Sequence, residues 1–266
     1  MNDSSKYRRT LLALTAAVGL LLIFNGCGKN GGQEVQGNVI SIRGTVTIDS
    51  GKESGSHPQS VKIAAKLSVG DRLETSPGAM AALLLIPGIF IEAGAETEIV
   101  IGELRVEKRG DAMVNAMTSR LATLHQNRGV IYASLPDIGS GRCELNVQTD
   151  LGTLVAQRGT IVAVRLTRDA VRVICADGEV RWSDARGGRV GEIYQGYFQD
   201  YRRHDVSNGD FKRAVTPVTE DAGAQNDVAT ALDVAAAFDG FALRARNAPP
   251  LESSIPIERR GTFRPP

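Results

Sequence analysis

Cys27 is the residue of this chain best placed for covalent chemistry. The apolar run Leu20-Leu21-Leu22-Ile23-Phe24 leads into Asn25-Gly26-Cys27, behind a cationic patch of Lys6, Arg8 and Arg9. A secretory signal needs that order: a basic start, an apolar stretch of about 7–15 residues, then small residues at the cut. Leu11 to Phe24 falls short of the roughly 20 apolar residues of a membrane span. A thiol directly after a small residue suits acylation, with cleavage before the cysteine. Cys27 therefore reads as a lipidation site and new N-terminus, although Phe24 and Asn25 depart from the commoner Leu and Ala or Ser of such sites. Several acyl chains on one cysteine anchor stably, at about 0.8 kcal/mol per buried CH₂. Gly28, rather than Asp, after the cysteine favours the outer membrane, facing the periplasm.

Two further thiols, Cys143 and Cys175, remain once Cys27 carries lipid. In an oxidising compartment an even pair is a candidate disulfide. The alternative is two small buried hydrophobes that never meet. Trp182, Tyr194, Tyr197 and Tyr201 concentrate aromatic rings just before Arg202, Arg203 and His204. Such rings could stack on sugars or meet a partner, or they could close the end of a β core.

Other chemistry is sparse. His57, His125 and His204 have no partner at metal-ligand spacing, and no nucleophile elbow or phosphate loop is present. Cys143 has Arg142 beside it but no histidine base in sequence reach. These patterns give no catalytic set, no metal site and no cofactor. The chain carries 31 basic and 30 acidic residues. Removing residues 1–26 takes away Lys6, Arg8, Arg9 and Asp3, leaving 28 and 29, a net charge near −1. A near-neutral chain offers no electrostatic case for nucleic acid.

The elements that must position these residues are short β-runs punctuated by glycine. Strands are expected at Asn38–Ile42, Thr45–Ile48, Leu67–Leu73, Ala79–Leu85, Ile89–Glu92 and Glu98–Ile101. Leu104 to Lys108 alternates and should be half-exposed. Further strands are expected at Arg120–Leu124, Val130–Leu135, Glu144–Thr149, Gly152–Arg158, Thr160–Leu166, Ala170–Cys175, Gly178–Trp182 and within Val190–Phe198. The openings Arg43-Gly44-Thr45, Arg128-Gly129-Val130 and Arg158-Gly159-Thr160 each put a glycine before a β-rich run, where positive φ lets one strand turn into the next. Gly70-Asp71 is a turn whose carboxylate can accept backbone N–H bonds, a structural use rather than a metal ligand.

Met113, Val114 and Met117 share a helical spacing, which predicts one short helix over Asp111 to Ser119. Thr216 to Asn226 is polar and reads as a linker. Asp227 to Arg246 has apolar residues at 228, 231, 232, 235 and 238, so a helix capped by Asp227 is expected, with an extended or disordered tail beyond Pro249.

Several stretches, in order, resemble the FecR domain of bacterial envelope proteins. Leu67-Ser68-Val69-Gly70-Asp71-Arg72-Leu73-Glu74-Thr75 is similar to its L-x-x-G-D-x-L-x-T element. Asn127-Arg128-Gly129-Val130 looks like its L-x-x-G-x-V hairpin. Val147-Gln148-Thr149 through Gly159-Thr160-Ile161-Val162-Ala163-Val164 resembles its V-x-T … G-T-x-F-x-V core, and Val171 to Val180 its closing strands. Pro87 stands where the family has an aspartate turn, and Ile161-Val162 where it has an aromatic.

The resemblance implies an all-β, two-sheet sandwich or solenoid-like domain of many short strands, with the short inserted helix and a C-terminal helical extension. The expected organisation is a signal peptide (1–26), a flexible tether (27–36), the β domain (37–201) and a linker, short helix and disordered tail (202–266). It implies no catalytic residues. The expected function is a lipid-anchored, non-enzymatic interaction module of the cell envelope that binds a protein partner or cell-wall glycan. Alternatives are a signal-transducing regulator of an extracytoplasmic sigma factor pathway and a polysaccharide-binding accessory protein. Signalling relatives carry a cytoplasmic segment before their span, and the residues before Leu11 are too few to serve as one.

Overall fold

A computed structural model of the chain describes residues 32–50, 58–109, 117–139, 141–185, 188–208 and 215–247. Cys27, the signal segment, His57, residues 111–116 of the expected helix and the tail from 248 lie outside the described residues.

Among the described residues the chain is all-β apart from its C-terminal part. In order, the strands are β1 (Gln33–Glu34), β2 (Gly37–Arg43), β3 (Val46–Ser50), β4 (Gln59–Ser60), β5 (Lys66–Leu67), β6 (Asp71–Thr75), β7 (Met80–Ile86), β8 (Ile89–Ala93), β9 (Glu98–Lys108) and β10 (Met117–Leu135). There follow β11 (Arg142–Gln148), β12 (Gly152–Gln157), β13 (Thr160–Leu166), β14 (Ala170–Asp177), β15 (Glu179–Asp184), β16 (Arg189–Tyr194), β17 (Tyr197–Arg202) and β18 (Thr216–Pro217). The helices among the described residues are α1 (Arg203–Asn208) and α2 (Ala222–Asn247), with a 3₁₀ turn at Val218–Glu220.

Two ladders form. The first runs β4, β3, β6, β9, the first half of β10, β11, β12, β15, β16, with β1 beside β9. The second runs β5, β2, β7, β8, the second half of β10, β13, β14, β17, β18. Among the described residues every pairing is antiparallel except β10 with β11.

The joint between the sheets is a corner in β10, which the sequence pattern divides into two strands. Gln126 and Arg128 straddle a register shift against β9, and Gly129 sits at φ +86°. Thr97, fully buried, staples the corner: its hydroxyl donates to the Val130 carbonyl and accepts the Val130 N–H, both at 3.0 Å. The corner folds β10 back on itself. This is why residues 136–141 suffice to connect β10 to a parallel neighbour, a connection that otherwise takes a dozen residues or more.

Alternation then builds two cores. Between the sheets lie Leu73, Ile99, Leu104, Leu124, Leu145 and Leu154 from the first ladder, and Leu83, Ile91, Ile131, Val164 and Val173 from the second. On the outer side of the second ladder, Phe90, Tyr132, Ala163, Ile174 and Phe198 meet Ala224, Ala231, Val234 and Phe238 of α2. Phe90 and Phe238 stack with centroids 4.6 Å apart.

Several expectations need correction. Met117 to Ser119 is strand, paired with β9 and β11. The tether is tied down from Gln33, because β9 offers an open edge: Gln33 and Glu34 pair with Val106 and Arg105, and the Val35 N–H reaches the Leu104 carbonyl at 3.0 Å. The expected linker is structured: Thr216–Pro217 pairs with β17, and α2 starts at Ala222. The cap is Asp221, whose Oδ1 accepts the Ala224 N–H at 2.8 Å, the bond an N-cap supplies. Asp227 instead lies buried under the helix. Its carboxylate receives Arg165 Nη2 at 2.5 Å and Nε at 3.0 Å, and the Tyr132 hydroxyl at 3.1 Å. At the other end of this interface, Arg172 reaches Asp200 at 2.7 Å and Asp221 at 3.0 Å, above the Phe198 ring.

Candidate functional site

The structure divides the expected aromatic surface in two. Trp182 and Tyr201 are in the core, 1 % and 3 % exposed. Coming from opposite ladders, they stack at 4.5 Å and 13° and close the end of the sandwich. Burial pushes the Tyr201 phenol well above its ordinary range, and its hydroxyl donates to Gln199 Oε1 at 3.0 Å. Neither ring is a contact surface. Tyr194 and Tyr197 are exposed, on either side of the Gln195-Gly196 turn.

The two thiols are free and buried. Cys143 Sγ lies 3.7 Å from the Gly88 carbonyl, and Cys175 Sγ 3.3 Å from the Asp177 carbonyl. They belong to different ladders and have separate acceptors, so the bridge is not formed. Burial raises the pKa of both, with Asp177 and Glu179 adding to the effect at Cys175, which is pushed up to about 12. Thiols held protonated this way are poor nucleophiles.

The site that remains is the outer face of the first ladder, which no described element covers. The register sets its side chains in rows. Thr123, Asn146, Val155, Arg181 and Glu192 are successive neighbours across β10, β11, β12, β15 and β16. His125, Gln148, Thr153 and Ser183 form the next row. Neighbouring strands lie about 4.8 Å apart, so each row repeats side chains at that spacing, all of them polar except Val155. Gly102 lies under the His125 ring: a Cβ there would sit 2.7 Å from His125 Nε2.

At the β16 end of this face is a half-open cleft of about 380 Å³. Gln157, Arg158, Glu179, Arg181 and Glu192 line it, with Gly159 and Gly178 forming backbone wall. Arg158 is held by the Gly139 carbonyl at 2.8 Å and by Asp137 at 2.9 Å. Arg181 is exposed and makes no ion pair among the described residues. Tyr194, half exposed, stands opposite Glu179 in the ladder, and its hydroxyl donates to Glu192 Oε2 at 2.7 Å. Such a cleft can exchange hydrogen bonds of both senses with a hydroxylated or amide-bearing ligand.

Sequence reasoning finds Tyr194 here but misses Gln157, Glu179, Arg181 and Glu192. Alternation assigns 153, 155, 157 and 179, 181, 183 to one face of their strands. It does not say which face a helix covers.

Among the described residues no group of three or more His, Cys, Asp or Glu could hold a metal ion, and no helix is long and apolar enough to cross a membrane. No protein-family model matches the chain, and no curated protein matches it. Two crystal structures of a "putative anti-sigma factor" from Parabacteroides distasonis ATCC 8503, at 1.65 and 2.50 Å resolution, are similar in part, with TM-scores of 0.36 and 0.35 and 11% sequence identity. Each match covers 55% of this chain and 57% of that one, so the likeness spans a little over half the length of those solved chains. The all-β architecture stands on the strand pairings of this chain itself.

Proposed function

We propose that the chain is a lipid-anchored, non-enzymatic interaction module of the bacterial cell envelope, FecR-like in kind, which holds a protein or glycan partner against the outer face of its first ladder. One observation carries this reading. The second ladder is covered by a helix fixed with two ion-pair clusters, whereas the first presents ordered polar rows to solvent. Loops and faces held on a rigid scaffold are where recognition concentrates. The lipid on Cys27 would hold that face near the membrane.

The test is a photo-crosslinking residue placed in the full chain, in cells, at Gln148 on the open face and at Leu232 on the exposed side of α2. Capture of an envelope component from position 148 but not 232 is expected. Recovery of cytoplasmic partners alone would defeat the reading. In parallel, a fatty-acid analogue should label the wild type and not Cys27→Ala; label that survives the change removes the anchor.

A further inference from the structure

We propose that the cleft between β12, β15 and β16 is a subsite for a neutral oligosaccharide, with Arg181, Gln157 and the two glutamates binding hydroxyls and Tyr194 flanking the sugar ring. The inference deepens the interaction-module reading and rests on it for the setting in which a glycan is met.

The lining selects the ligand. Its walls are charged side chains, an amide, the Thr160 side chain and backbone, with Val155 the aliphatic member of the lining, so an apolar peptide or acyl chain would desolvate mostly polar groups without replacing their hydrogen bonds, at a cost. Arg158 is already matched by Asp137 and the Gly139 carbonyl. Taken whole, the lining sets two arginines, Arg158 and Arg181, against two glutamates, Glu179 and Glu192, so it has no excess positive charge to draw in a polyanion. A sugar hydroxyl both donates and accepts. It can give a proton to Glu179 or Glu192 and take one from the Arg181 guanidinium or the Gln157 amide, and hydrogen bonds to ionised partners are the stronger kind.

Tyr194 adds the apolar contact. Its ring is 50% exposed, and its hydroxyl is tethered to Glu192, a lining residue. An amphipathic ring fixed at the rim can pack on the C–H face of a sugar while its polar end stays wet. The volume, about 380 Å³, is at the lower end of the roughly 300–1,000 Å³ of small-molecule clefts. Beyond the cleft, the row Asn146–Val155–Arg181 and its neighbour Gln148–Thr153–Ser183 continue across the sheet, so a chain leaving the cleft would meet further donors and acceptors.

The experiment is calorimetric titration of the detergent-solubilised full chain with chitotetraose, cellotetraose and a tetragalacturonate. Saturable binding of at least one neutral tetrasaccharide is expected, with affinity falling roughly tenfold or more in Arg181→Ala and in Tyr194→Ala, and retained in Tyr194→Phe. Both positions are exposed, so these variants should keep the wild-type fold. Absence of binding with both neutral sugars, binding indifferent to both alanine variants, or a preference for the tetragalacturonate would each overturn the proposal. A protein captured from position 148 with no sugar binding would sink the glycan and leave the module standing. Cytoplasmic capture alone would sink the module and leave the titration unaffected.

Discussion

The two ladders turn opposite chemistry outward. On the second, Phe90, Tyr132, Ala163, Ile174 and Phe198 point away from the central core, and α2 covers them. On the first, the corresponding positions are Thr123, Asn146, Gln148, Thr153, Arg181 and Ser183, with Val155 the aliphatic exception, and no described element lies over them. Both sets of strands alternate apart from local register shifts, so the difference lies in what each places on its second side. A sheet packed on both sides contributes stability, and one packed on a single side is free to contribute recognition. Substitutions on the two sides should therefore separate cleanly into those that cost folding and those that cost binding.

The largest effect should come at the joint that makes two faces possible. Gly129 combines φ +86° with a Cβ position 2.4 Å from Thr97 Cα. Gly129→Ala must accept left-handed backbone and displace the Thr97 staple. Strain and overpacking together predict a loss of about 4 kcal/mol, read as a lower midpoint in urea at unchanged slope. Wild-type stability in this variant would mean that the corner is not where the sheets are joined.

Next comes the cover itself. Phe238→Ala removes a ring that is 5% exposed and stacked on Phe90, and should cost about 3 kcal/mol. Leu232→Ala on the same helix, where the side chain is 44% exposed, should cost less than about 0.5 kcal/mol. Similar losses at both positions would mean that α2 does not dock through the face assigned to it.

The pH dependence sharpens the same contrast. Tyr132 lies beneath α2. Burial first, then the Asp227 carboxylate, push its phenol from 10.0 to about 12. A pKa raised by folding means that the native state holds the proton more tightly than the unfolded chain. The associated stability is therefore fully present below about pH 10 and is lost as pH rises toward 12. Each tenfold gain in proton affinity is worth about 1.4 kcal/mol, so the whole effect is about 2–3 kcal/mol. Tyr132→Phe keeps the ring and removes the proton. Its stability, measured by urea unfolding between pH 9 and 12, should fall less steeply than that of the wild type. Equal slopes would show that Tyr132 is not sealed under the helix.

The sequence reveals these arrangements unevenly. The strand periods of β7, β11, β13 and β14 are visible because alternation is local, and the turns at Gly44, Gly129 and Gly159 because each takes positive φ. The Asp71 carboxylate accepting the Ser68 N–H at 2.7 Å is likewise a short-range feature. What a sequence does not display is the partner of a face. Asp227 looks like a helix cap because it precedes an apolar run; it is buried because Arg165, far away in sequence, supplies the counter-charge. Leu232 fits the apolar stripe yet faces solvent, since the stripe is set by Ala224, Ala231, Val234 and Phe238 against the sheet. Trp182 and Tyr201 look like a surface cluster with Tyr194 and Tyr197. Only the pairing of β12 with β15 and of β14 with β17 shows that two of the four rings point inward. The cleft shares that cause: Gln157, Arg181 and Glu192 come together only through cross-strand register.

The smallest effect on stability should be found on the open face, and it is the one that decides what the face is for. Asn146→Ala, Gln148→Ala and Arg181→Ala change side chains that point away from both cores, on strands whose backbone pairing they leave intact. Surface substitutions of this kind stay within about 0.5 kcal/mol each and add when they share no partner. The triple variant should therefore unfold within about 1.5 kcal/mol of the wild type in urea, while capture of a partner from an unchanged open-face position, Thr153, is lost. A large destabilisation would mean that these rows hold the sheet together rather than face a ligand. Undiminished capture would move recognition elsewhere, to the exposed turn that carries Tyr197. The pairing of retained fold with lost capture cannot arise on the covered side, where Phe238→Ala removes both together or neither.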